Sequence, residues 1–114
     1  MKVLMRGVHL SLTDELRDYA NRHLVDPLVK FIDDEATELE IAMVDINGPK
    51  GGVDQECRVT VRMPGFAGMH VTETAETMFH AIDAARDTLE KMITRTLEKR
   101  REQGSQGLPQ DVRF

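Results

Sequence analysis

The chain has 114 residues, a formal net charge of -5, four Phe, one Tyr, no Trp and one Cys. That length is one domain with a core large enough to fold without a disulfide or metal staple, and a single Cys excludes an internal disulfide and fits a reducing compartment. No apolar run approaches the ~20 residues of a membrane span, and the N-terminus lacks a charged-then-apolar signal pattern, so the expected location is the cytoplasm.

Residues 2–8 read as a short first strand. Thr13 then precedes Asp14 and Glu15, an N-cap followed by acids in the first helical turn. Leu12, Leu16, Ala20, Leu24, Leu28, Phe31 and Ile32 continue at helical spacing. Pro27 interrupts this helix; either it kinks the helix, or Asp26 caps a second short segment with Pro27 at its first position. Residues 38–44 alternate as a half-buried strand with Leu39, Ile41 and Met43 inward, and 47–52 is a Gly- and Pro-rich loop. Cys57, Val59, Val61 and Met63 alternate with Arg58, Thr60 and Arg62, which predicts a strand with the first set in the core. Residues 64–68 form a turn, 69–72 a fourth strand, and Thr74 is placed to cap the last helix.

That helix spans about 76–102. Met78, Phe79, Ile82, Ala85, Leu89, Met92, Ile93, Thr96 and Leu97 make one continuous buried stripe. The predicted order is β-α-β-β-β-α. It gives an α+β two-layer sandwich, a mostly antiparallel four-stranded sheet with two helices on one face. Residues 1–102 form the domain, and 103–114 are expected to be a flexible tail.

Opposite the apolar stripe, Lys91, Arg95 and Lys99 lie four residues apart, followed by Arg100 and Arg101. The segment 86–101 holds six Lys/Arg against three Asp/Glu, while 33–76 holds three against ten. A basic ridge on an acidic protein suggests a partner of negative charge. The plainer reading is a solvated helix face, with Asp87 four residues before Lys91 as an ordinary helix pair. Arg22, Lys30, Arg58 and Arg62 are further cations whose place relative to the ridge periodicity does not fix.

Catalytic chemistry has little support. There is no G-x-S-x-G, P-loop or Rossmann glycine pattern, and the loop around Lys50 has no Ser or Thr after the Lys. His9, His23, His70 and His80 show no ligand spacing on one element, and Cys57 sits on an inward strand position as a small hydrophobe. The carboxylates at 33, 34, 35, 38 and 40 read as a solvated acidic edge.

Two segments together resemble a known family. Gly7 followed by Leu12-Thr13-Asp14-Glu15-Leu16-Arg17-Asp18-Tyr19, with Phe31 closing the helix, is similar to the first half of the ribosome hibernation promoting factor / protein Y (ribosome-associated inhibitor A) family, also labelled sigma-54 modulation proteins. Glu73-Thr74-Ala75-Glu76-Thr77-Met78-Phe79-His80-Ala81-Ile82-Asp83 is similar to that family's start of the last helix. The resemblance covers about residues 3–100 and corresponds to the family's short form. It implies a fold similar to double-stranded-RNA-binding domains and no catalysis, cofactor, metal or small-molecule substrate. It implies binding to the small ribosomal subunit, through the 16S rRNA backbone, in the channel used by mRNA and tRNA, as a plug that silences translation under stress or in stationary phase.

On that reading Lys91, Arg95, Lys99 and Arg100 supply the main RNA contacts, and Arg22, Lys30 and Lys50 secondary ones. The alternative is a divergent acidic paralogue that acts as a protein-interaction module through residues 33–56. A ligand or metal module using His70 and His80 ranks below both. A weak homodimer through a strand edge bearing Arg58 and Arg62 is a further expectation.

Overall fold

The computed structural model describes residues 1–32, 34–46 and 54–106, with side chains described as far as Lys99. The chain runs β1 (Lys2–Val8), α1 (Asp14–Ala20), a π-helical turn (Asn21–Val25), α2 (Asp26–Val29), β2 (Glu38–Asp45), β3 (Gln55–Arg62), β4 (Met69–Ala75) and α3 (Met78–Gln106). The strands form one sheet in the order β1-β2-β3-β4. β2, β3 and β4 pair antiparallel as a meander. β1 pairs parallel to β2, which requires the helical connection between them. The architecture is the expected α+β one, a mixed sheet with the helices on one face.

Alternation fixes that face. Leu39, Ile41, Met43, Cys57, Val59, Val61 and Val71 lie in one buried cluster with Ala20, Leu24, Leu28, Ile82, Leu89 and Ile93 of the helices. α3 packs across β3 and β4, and the α1–α2 rod packs beside it.

Pro27 does not start a separately capped segment. Val25 and Asp26 keep right-handed helical angles, and no side chain caps α2. The rod stays continuous because the turn before Pro27 widens: Asp26 N–H donates to Asn21 C=O, five residues back. Pro27 brings no N–H and a ring that crowds the carbonyl of residue 23, and a π-turn immediately upstream relieves both. Thr13 caps α1 as expected, its Oγ1 accepting from Leu16 N–H at 3.2 Å.

The start of α3 differs from expectation. β4 continues to Ala75, paired with Gln55, so Thr74 is a strand residue. The cap is Thr77, whose Oγ1 accepts from His80 N–H at 3.2 Å and whose carbonyl accepts from Ala81 N–H. At its other end α3 runs through Gly104 to Gln106, because extending a formed helix needs only one further residue fixed per hydrogen bond and one Gly costs about 1 kcal/mol. Residues 107–114 of the expected tail lie outside the described residues. β3, which carries Arg58 and Arg62, is paired on both sides and is no edge; the edges are β1 and β4.

Gly7 has a steric reason. A Cβ there would meet the Leu10 carbonyl oxygen at 2.5 Å, where the chain turns sharply through His9 at φ 60°.

Candidate nucleic-acid interface

α3 buries Met78, Ala81, Ile82, Ala85, Leu89 and Ile93 against the sheet and leaves Lys91, Arg95 and Lys99 exposed. Among the described residues none of these three cations joins an ion pair. The expected Asp87–Lys91 pair does not form. Asp87 Oδ1 instead accepts from Arg86 Nη2 at 3.0 Å and Nε at 3.2 Å, and this bond raises the Arg86 pKa. Lys91 is thereby left to solvent. Three cations one helical turn apart, on an element fixed by its buried side, make a straight line of unneutralised charge.

The ridge borders a cleft of about 470 Å³. One wall is the Phe31 ring, at the end of the first helical rod. The other is α3, with Lys91, Thr94 and Arg95, and with Asp87, Glu90 and Glu98 around them. Helical spacing assigns Phe31 to the core, yet it is 42% exposed. α2 ends at Val29, and Phe31 belongs to a turn in which Phe31 N–H and Ile32 N–H both donate to Leu28 C=O. Ile32 takes the buried place and Phe31 is turned out. Leu28, Val29, Phe31 and Ile32 are four apolar residues within five, more than one buried face accepts, and that was the only sequence signal: Val29 and Phe31 face solvent while Leu28 and Ile32 are buried.

The other expected cations divide. Lys30, also exposed, directly precedes Phe31 and so lies at the same end of the rod. Arg22 lies in a separate hollow with Glu15, Asp18, Tyr19 and His23, away from the ridge cleft. Arg58 and Arg62 point to the sheet face opposite the helices and pair there with Glu56 and Glu38. Lys50 lies outside the described residues. Arg100 continues α3, but its side chain lies outside them as well.

The remaining sites fall to ordinary roles. His70 is on the open sheet face, its ring nitrogens 2.9 Å from Thr60 Oγ1 and 3.3 Å from Thr72 Oγ1, while His80 is in the first turn of α3. Among the described residues no group of three or more His, Cys, Asp or Glu gathers as a metal site. Cys57 is fully buried and burial pushes its pKa up to about 12, so it carries no thiolate near neutrality. Of the acidic stretch, Asp34, Glu35 and Glu38 are exposed, and Asp34 Oδ1 accepts from Ala36 N–H at 2.8 Å. Residues 33 and 47–53 of it lie outside the described residues.

Two polar links set how α3 is rotated, and therefore where the ridge points. Tyr19 Oη donates to Asp83 Oδ2 at 2.8 Å, with the ring stacked on His23 at 4.0 Å and edge-on to Phe79 at 4.8 Å. The bond to Asp83, then burial, raises the Tyr19 pKa. Thr88 Oγ1 donates to Glu73 Oε2 of β4 at 2.8 Å. One link ties α3 to the first rod and the other ties it to the sheet.

The comparisons with known proteins agree with this architecture. The Thermus thermophilus Protein Y N-terminal domain is 28% identical and superposes with a TM-score of 0.67, covering 84% of this chain and 99% of that one. A ribosomal subunit interface protein from Coxiella burnetii superposes with a TM-score of 0.69 at 19% identity, covering 86% and 99%, and so supports the fold alone. None of the curated proteins matches. Among the described residues no helix is long and apolar enough to cross a membrane. The sequence profile described as Sigma 54 modulation protein / S30EA ribosomal protein matches residues 3–101, nearly the whole domain, and the chain belongs to that family of ribosome-associated proteins.

Proposed function

We propose that this protein associates with the small ribosomal subunit and inhibits translation by occupying the mRNA/tRNA channel, without performing chemistry. The observation that carries the reading is the ridge: Lys91, Arg95 and Lys99 are exposed, one turn apart, and unpaired among the described residues of a chain whose net charge is -5. Unneutralised cations held on a rigid helix gain by releasing counterions from RNA phosphates, and they read backbone shape rather than sequence. Lys30 directly precedes Phe31, which lines the same cleft, and is a supporting cation. Arg22 is a weaker candidate, because Glu15 and Asp18 share its hollow. Arg100 and Lys50 complete the proposed contact set.

The test is co-sedimentation with purified small subunits at low salt. The parent is expected to sediment with them, and the variant K91E/R95E/K99E to remain in the supernatant with an unchanged thermal midpoint. A triple variant that sediments like the parent removes the ridge from the mechanism.

A further inference from the structure

The ridge cleft contains more than a phosphate-binding surface uses. Phosphate recognition calls for cations and N–H donors. It gains nothing from an exposed aromatic ring, and Asp87, Glu90 and Glu98 oppose it. Phe31 is the only exposed aromatic among the described residues; Tyr19 and Phe79 are spent on each other, and Phe66 is half-buried. An unpaired nucleotide uses every part of this lining. Its base has a π-face for Phe31, its exocyclic amine or ring N–H is a donor for a carboxylate, and its phosphates meet Lys91 and Arg95. The volume of about 470 Å³ suits a small ligand.

We propose that this cleft holds one unpaired RNA nucleotide, stacked on Phe31, with Lys91 and Arg95 on the flanking phosphates and Glu90 and Thr94 at the base edge. The proposal deepens the RNA-binding reading above and rests on it. It makes the surface selective for RNA with an accessible base over fully paired RNA, a distinction that cations alone do not draw.

The chain has no Trp, so Phe31→Trp places its only indole in the cleft. A short single-stranded RNA of mixed sequence is expected to quench that indole saturably. A blunt-ended, fully paired RNA duplex and inorganic polyphosphate are expected to leave its emission unchanged while still binding by fluorescence anisotropy of the labelled ligand. Phe31→Ala, at an exposed position and so without loss of the fold, is expected to weaken single-strand binding about five- to a hundredfold. It is expected to leave the salt slope and polyphosphate affinity unchanged, since no phosphate contact is lost.

Parental single-strand affinity in Phe31→Ala, or equal quenching by polyphosphate, overturns the nucleotide site while leaving the cationic ridge standing. No binding of any of the three ligands by the parent at low salt overturns both. Quenching by RNA-free ribosomal protein, with none by RNA, assigns the cleft to a protein partner and also overturns the site.

Discussion

The Tyr19 hydroxyl bridges to Asp83 across the junction of the two helices, and its removal leaves a carboxylate whose other oxygen, Oδ1, is buried with no hydrogen-bond partner. Tyr19→Phe is therefore expected to lower unfolding stability by about 1–2 kcal/mol, read from urea denaturation at neutral pH. Alkali tests the residue scale a second way. Tyr19 is raised above its ordinary 10.0, and Cys57 is raised from 9.0 to about 12. In both, the folded chain keeps a proton that the unfolded chain gives up. Their contribution is thus complete below pH 9 and is lost as pH rises from 9 toward 12. With Cys57 alone titrating in the unfolded state, stability is expected to fall by about 1.4 kcal/mol per pH unit above 9. Cys57→Ala is expected to remove that first decline, and an unchanged pH profile of the thermal midpoint in that variant would contradict the assignment.

At the scale of the element, the start of α3 was settled by competition between two threonines with equal capping chemistry. Ladder pairing to β3 claims Thr74, and Thr77 is left to satisfy the helix N-terminus. Thr77→Ala is expected to cost about 1 kcal/mol of stability, and Thr74→Ala under about 0.5 kcal/mol because its side chain is exposed on a strand. Equal losses in chemical denaturation would put the cap in the wrong place. The first rod shows the same kind of outcome. Pro27 reads in the sequence as a break, but tertiary burial of Leu24 and Leu28 on either side holds one continuous axis, and a π-turn absorbs the misfit. Because that rod ends at Val29, the 3.6-residue period no longer governs Phe31, and its exposure followed from a turn that periodicity does not describe.

At the scale of the molecule, the shape is long, 59 × 26 × 18 Å, as a 29-residue α3 of about 43 Å requires. Charge is segregated along with it. Arg58 and Arg62 are paired with carboxylates on the open sheet face, and among the described residues the ridge cations are not. Three phosphate contacts from Lys91, Arg95 and Lys99 are expected to contribute about -2 to -3 to the slope of log affinity against log salt for ribosome binding. Each single reversal to Glu is expected to reduce that steepness by about one, measured by sedimentation across a salt series. A slope near zero in the parent would mean that the acidic net charge, not the ridge, governs association.

The amino-acid order alone determined the β-α-β-β-β-α order, the inward residues of β2 and β3, and the Met78, Ile82, Ala85, Leu89 and Ile93 line of α3, while Phe79, Met92, Thr96 and Leu97 of the expected stripe are half-buried. Periods of two and 3.6 residues are local geometry, and burial follows them wherever an element is long and regular. It also determined that α3 carries a basic line opposite its apolar one. Only the folded molecule decided that β1 runs parallel to β2 at an edge, that Arg86 takes Asp87 away from Lys91, and that Phe31 forms a wall of the cleft beside the ridge. Each of these depends on contacts between residues far apart in the chain, or on which of two neighbours wins one partner, and no local repeat encodes that choice.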